Sequence, residues 1–250
     1  MFEITISTTK SKSADISFLI ERLRPMVKNV KGIMVCEEFE GRSKLAIAIK
    51  KEKKVKCLPL IYDAVAEVII KDYKEEFLRE NLKLEMNNEV SKYAFIKALT
   101  MFDKSSDKLI IKKQLTGCEE IVIDSLYNFR LWELTKRWRE IAELVSENSS
   151  YLIMSGTFLE LMKFLILTNE TIESEVHLHF QSGRVYGQTK EGKEVFKIAY
   201  SKQDDNGKIG VISELIAISP ERIVLHSDIE DVELSNYILS LFDGKVSVLK

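Results

Sequence analysis

The sequence predicts an α+β protein: an N-terminal β-α-β-β unit, a largely helical middle, and a C-terminal β-meander followed by α-β-α-β. Three observations carry this. Apolar and polar residues alternate at the start, so that Phe2, Ile4 and Ile6 share one face. They then recur at three- and four-residue intervals through most of residues 59–169, the period of a buried helical stripe. Beyond Thr171 the period returns to two, with Val176, Leu178 and Phe180 alternating with His177, His179 and Gln181.

Residues 2–7 read as the first strand. Ile16, Leu19, Ile20, Leu23 and Val27 follow at helical spacing behind a Ser13/Asp15 start, and Pro25 is expected to bend or end that helix. Residues 33–39 and 45–50 form a hairpin around Glu40-Gly41-Arg42-Ser43. The lysine-rich run at 50–56 has no arginine fork and no interleaved aromatic, so it reads as a solvated connection. Pro59 suits the first turn of a helix reaching Leu82, with Leu60, Ala64, Val65, Val68, Ile69 and Leu78 on its buried face. Asn87 or Asn88 caps the next helix, and Ser105 or Ser106 the one after. Residues 119–145 place Leu131, Leu134, Trp138, Ile141 and Val145 on one side, as one long amphipathic helix that Asn148-Ser149-Ser150 breaks. Gly156 interrupts or begins an apolar helix to about Leu167. After the meander, a helix over 209–218, a strand over 222–226, a helix over 232–242 and a strand over 245–249 complete the chain, the last two strands being parallel neighbours. Residues 1–56, 57–170 and 171–250 are the three regions, packed separately or as one continuous domain.

The balance of 37 basic against 39 acidic residues gives a net charge of −2, which argues against nucleic acid or an anionic membrane as partner of the whole molecule. Cys36, Cys57 and Cys118 are odd in number and show no Cys-x-x-Cys spacing, as expected of reduced, buried thiols in the cytoplasm. The start Met-Phe-Glu-Ile lacks an export signal, which supports the same compartment. Residues 151–167 are the most apolar stretch, but Glu160 and Lys163 interrupt it and no stable membrane insertion is expected.

His177 and His179, two apart on a strand, point to one face as some metal sites require. His226 or Asp228, at the end of a parallel strand, would be the third ligand by topology. The alternative, which the sequence favours, puts both histidines on the solvent face of the meander with no metal. No Gly-x-Ser-x-Gly occurs, and Ser155-Gly156 sits in a helical context. Phosphate-binding glycine loops are also missing, Gly207-Lys208-Ile209-Gly210 being only a weak anion site. Glu119/Glu120, Asp204/Asp205 and Asp228/Glu230/Asp231 sit where helix capping explains them. Arg130, Lys136, Arg137 and Arg139 share a helix with Trp132 and Trp138, so Asn128, Arg130 and Arg137 are the candidate partner-binding residues.

Several segments carry a family resemblance: Asn128-Phe129-Arg130-Leu131, Phe158-Leu159-Glu160-Leu161-Met162-Lys163-Phe164-Leu165, Glu175-Val176-His177, Pro220-Glu221-Arg222-Ile223-Val224-Leu225-His226 and Leu241-Phe242-Asp243-Gly244-Lys245-Val246. In this order they resemble the YtxC-like family of sporulation proteins, over roughly residues 117–250 and in architecture before that. The resemblance implies a setting in endospore-forming bacteria and neither an enzymatic activity nor a cofactor. With no catalytic motif and no cofactor signature, the sequence favours a non-enzymatic accessory or interaction protein of the cytoplasm. The alternative is a metal- or ligand-binding enzyme with its site near His177, His179 and His226.

Overall fold

The computed structural model describes residues 1–86, 88–154, 156–226 and 231–249. Asn87, Ser155, Asp228 and Glu230, named above as candidate cap, helix and ligand residues, lie outside them. The fold is α+β, with two mixed sheets, and the chain packs as two compact units. Residues 1–80 and 103–141 make the first, residues 81–102 and 142–250 the second.

In the first unit, β1 (Phe2–Thr9) leads through a short 3-10 turn into α1 (Ser13–Asn29), then β2 (Ile33–Phe39) and β3 (Arg42–Ile49). The sheet order is β2-β3-β1-β4, with β4 (Glu120–Val122) parallel to β1. Phe2, Ile4 and Ile6 of β1 and Leu45, Ile47 and Ile49 of β3 are all buried, as are Ile16, Leu19, Leu23 and Val27 of α1. The alternation and the helical spacing thus address a common core. Pro25 neither ends nor truncates α1, which runs four residues past it to Asn29. The carbonyl that a residue-25 N–H would have bonded belongs to Glu21, an exposed residue, so water can take that bond. The hairpin loop is two residues rather than four: Glu40 and Gly41 both have positive φ (49° and 75°), the mirror-image turn whose twist matches the strands.

α2 (Lys54–Val68) starts inside the lysine run, five residues before Pro59, and Leu60 faces solvent. It passes into a π-helical segment, Ile69–Lys74, and then α3 (Glu75–Asn81). α4 (Glu89–Met101) is capped by Asn88, whose side chain accepts from the Ser91 N–H at 2.8 Å. α5 (Lys104–Leu115) begins after Asp103 in the left-handed conformation, not at Ser105 or Ser106. The main correction lies at 119–145. Instead of one helix, this stretch holds β4, the short α6 (Ile123–Ser125), a π-helical turn Leu126–Arg130, and then α7 (Trp132–Met154). Asn148-Ser149-Ser150 does not break α7. The Asn148 Nδ2 donates to the Leu144 carbonyl and the Ser149 hydroxyl to that of Ser146, so these polar side chains bond back along the helix. The first unit also holds a buried polar triad, in which the Lys74 Nζ and the Trp138 Nε1 both donate to Asp107 Oδ2, at 2.8 and 3.1 Å.

The second unit contains α4, the end of α7, α8 (Phe158–Leu167) and the meander β5 (Glu175–Gln181), β6 (Arg184–Thr189) and β7 (Glu194–Ala199). After these come α9 (Asp205–Ile218), β8 (Arg222–His226), α10 (Val232–Leu241) and β9 (Val246–Leu249). The sheet order is β7-β6-β5-β8-β9. β8 is parallel to both β5 and β9, so the strands flanking α10 are parallel neighbours. Val176, Leu178, Val185, Ile223 and Leu225 are buried on one face of this sheet, and α9 packs against α4 and β7. The Gly207-Lys208-Ile209-Gly210 stretch lies inside α9 and is a packing feature: a Cβ on Gly207 would meet the Tyr200 backbone at 3.2 Å. Lys208 pairs with Glu233 and Asp205. Asp204 and Asp231 cap α9 and α10 as expected. Cys57 is buried, whereas Cys118 is half-buried and Cys36 lies exposed on β2. No helix among the described residues is long and apolar enough to cross a membrane.

Candidate metal centre

Strand pairing in the second sheet places the histidines. β5 and β8 run parallel in the register Glu175 to Arg222, Val176 to Ile223, His177 to Val224 and Leu178 to Leu225. Since side chains alternate across a strand, the next pair along this register is His179 and His226, on the face opposite the buried Val176, Leu178, Ile223 and Leu225. Three imidazoles therefore converge at the end of a parallel strand pair. One ligand atom from each of His177, His179 and His226 lies within 4.8 Å of the other two.

The three side chains are half-buried, with His177 20% exposed. His177 Nδ1 lies 2.9 Å from His226 Nε2. The rings of His179 and His226 stack with centroids 3.8 Å apart, and those of His177 and His226 are 5.2 Å apart. Two imidazole nitrogens bound to one tetrahedral zinc ion are about 3.4 Å apart, as follows from Zn–N distances of about 2.0–2.1 Å. The observed spacings bracket that value, and since each lone pair lies in its ring plane, the stacked His179 and His226 rings must turn out of their stack for three donors to meet one ion. Neutral imidazole nitrogens are donors suited to zinc, copper, nickel and iron(II).

Glu175 completes the arrangement from the same strand face. Its Oε1 accepts from His177 Nε2 at 2.9 Å, and Arg222 Nη1 lies 3.4 Å from its Oε2. The hydrogen bond from His177, aided by the positive charge of Arg222, holds the Glu175 carboxyl below the usual glutamate range. Glu175 was missed as a site residue in the sequence, although the pattern Glu-x-His-x-His already places it on the histidine face.

The candidate partner residues fall elsewhere, in the first unit. Asn128 and Arg130 are exposed on the π-helical turn Leu126–Arg130. The Arg130 guanidinium donates to the Gln114 carbonyl at 3.4 Å and to Cys118 Sγ at 3.3 Å, and lines a cleft of about 350 Å³ with Leu126 and Phe129. Arg137 is engaged within its own unit, its Nη2 lying 2.7 Å from Asp103 Oδ2. Trp138 is buried beside Leu134, as the helical spacing requires, whereas Trp132 and Phe129 are exposed.

No curated protein and no solved structure matches the chain. A family model does, over residues 59–247, a span that takes in Glu175 and all three histidines and well over half of the sequence. The chain belongs to the YtxC-like family.

Proposed function

We propose that this chain is a cytoplasmic, sporulation-associated accessory protein that binds a divalent transition metal ion, zinc being the probe of choice, through His177, His179 and His226. The observation that carries this is the convergence of three imidazoles from two strands, with ligand atoms within 4.8 Å of one another. Membership of the YtxC-like family supports the sporulation setting, and three free thiols are in keeping with the cytoplasm. An accessory role fits the lack of a catalytic motif in the sequence. Deletion of the gene in its native host, with complementation, tests the setting and the site together. The wild-type gene should restore the spore count and a His226→Ala allele should not. A normal count in the deletion strain would refute the sporulation setting, and full rescue by the His226→Ala allele would separate that setting from the metal.

A second reading concerns a protein partner at Asn128 and Arg130. It is favoured by Phe129 and Trp132, which are 78% and 61% exposed beside Arg130. Pull-downs with Phe129→Ala and Arg130→Ala should lose a partner that the wild type retains, while the proteins stay folded. Retention of every partner by both variants would remove this surface from consideration.

A further inference from the structure

We infer that Glu175 is the positioning residue of the histidine centre: by accepting the Nε2 proton of His177, it leaves that ring's Nδ1 lone pair directed at His226 and available to a metal ion. The inference rests on the metal reading of the three histidines and adds to it the choice of donor atom. A carboxylate can only accept, so a ring nitrogen 2.9 Å from Glu175 Oε1 carries the proton. A neutral imidazole has one N–H, and Nδ1 of His177 is then an acceptor. The 2.9 Å contact between His177 Nδ1 and His226 Nε2 follows as a bond in which His226 donates.

Without metal, the His226 Nε2 proton lies between two nitrogens that an ion would join. For an ion to bind between these two nitrogens, His226 must give up its Nε2 proton, whereas His177 already presents a lone pair. Glu175 is itself held from the neighbouring strand β8, by an arginine that β9 in turn steadies. Arg222 of β8 lies 3.4 Å from its second oxygen, and the Arg222 Nε donates to the Ser247 hydroxyl of β9 at 3.3 Å. The carboxylate is thus fixed on the side of His177 away from the cluster, where an outer partner sets the tautomer and orientation of a ligating histidine.

The test uses the full-length chain, 15N-labelled at histidine and free of metal, with long-range 1H–15N spectra and a zinc titration. Wild-type His177 should appear protonated at Nε2. Glu175→Ala should give a mixture of tautomers at His177 and weaken zinc binding about 10- to 100-fold. Glu175→Gln keeps an acceptor oxygen, so it should retain the tautomer and lose less than about tenfold. A wild-type His177 protonated at Nδ1, or a folded Glu175→Ala with unchanged tautomer and affinity, would overturn the inference. A role confined to pinning β5 against β8 would weaken binding without moving the proton, and that result overturns it too. If the wild type binds no zinc, the metal reading falls by itself, while the site of the proton on His177 still decides what Glu175 does. Should Glu175→Ala fail to fold, the wild-type spectrum and Glu175→Gln carry the test.

Discussion

His177 Nδ1 and His226 Nε2 lie 2.9 Å apart although 49 residues separate them in the chain. The parallel pairing of β5 with β8 makes this contact, and it gives a metal ion two strands to join. An ion that binds the native chain and not the unfolded one stabilises the fold by mass action, about 2.7 kcal/mol when free metal is 100 times Kd. The melting temperature should therefore rise by several degrees on adding zinc, and His226→Ala should abolish the rise. Calorimetry with and without the metal checks this.

Asp107 is the most exacting position in the first unit. Its Oδ2 accepts from both Lys74 and Trp138, and the Lys74 and Asp107 side chains are 2% and 3% exposed. Burial pulls the Lys74 ammonium below the usual lysine range, against the pull of Asp107. Asp107→Ala should cost about 3–5 kcal/mol, because it removes the carboxylate bonded to a buried ammonium and to the Trp138 indole. Asp107→Leu combined with Lys74→Met should recover most of that loss in urea unfolding.

Asp15 should make stability depend on pH in the neutral range. Burial first, and then Asp72 and Asp124, push its carboxyl up to about 7, while Lys12 opposes them. The folded chain therefore holds this proton more tightly than the unfolded one, so the contribution is intact below about pH 4 and is lost as pH rises towards 7. Relative to the wild type, Asp15→Asn should gain stability from pH 4 to 7, reaching on the order of 2–4 kcal/mol. A constant difference between the two proteins across that range would count against the assignment.

Asp231 serves two partners at the start of α10. It accepts from the Leu234 N–H at 3.0 Å and from the Tyr200 hydroxyl at 2.5 Å. Burial and the adjacent carboxylate raise the Tyr200 phenol well above its usual range, so it stays a donor. Asp231→Ala should cost about 2–3 kcal/mol through the lost cap and the orphaned phenol. Tyr200→Phe should cost about 1 kcal/mol. Denaturant midpoints at constant m-value distinguish the two.

Where a regular period meets a buried face, the sequence is a sufficient guide. β1, β5 and β8 could be read from Phe2-x-Ile4-x-Ile6, Val176-x-Leu178 and the Ile223–Leu225 run, because each faces a core. β4 could not. It has three residues, its Ile121 also fits a helical stripe, and only its pairing with β1 makes it a strand. The supposed stops at Pro25 and at Asn148-Ser149-Ser150 were overridden by local bonding and packing, which a residue's propensity does not contain. Around the histidines, the spacing of His177 and His179 was legible, and topology offered His226 or Asp228 as a third residue, Asp228 lying outside the described residues. Glu175 acquires its role only through the 2.9 Å contact that orients His177.

Whether His177, His179 and His226 bind one metal ion is tested most directly by calorimetric titration of the purified, metal-free chain with zinc. Binding of one zinc ion per chain is predicted, weakened at least about 100-fold by His177→Ala or His226→Ala in proteins that remain folded. No zinc binding by the wild type, or equal binding by the histidine variants, would contradict it.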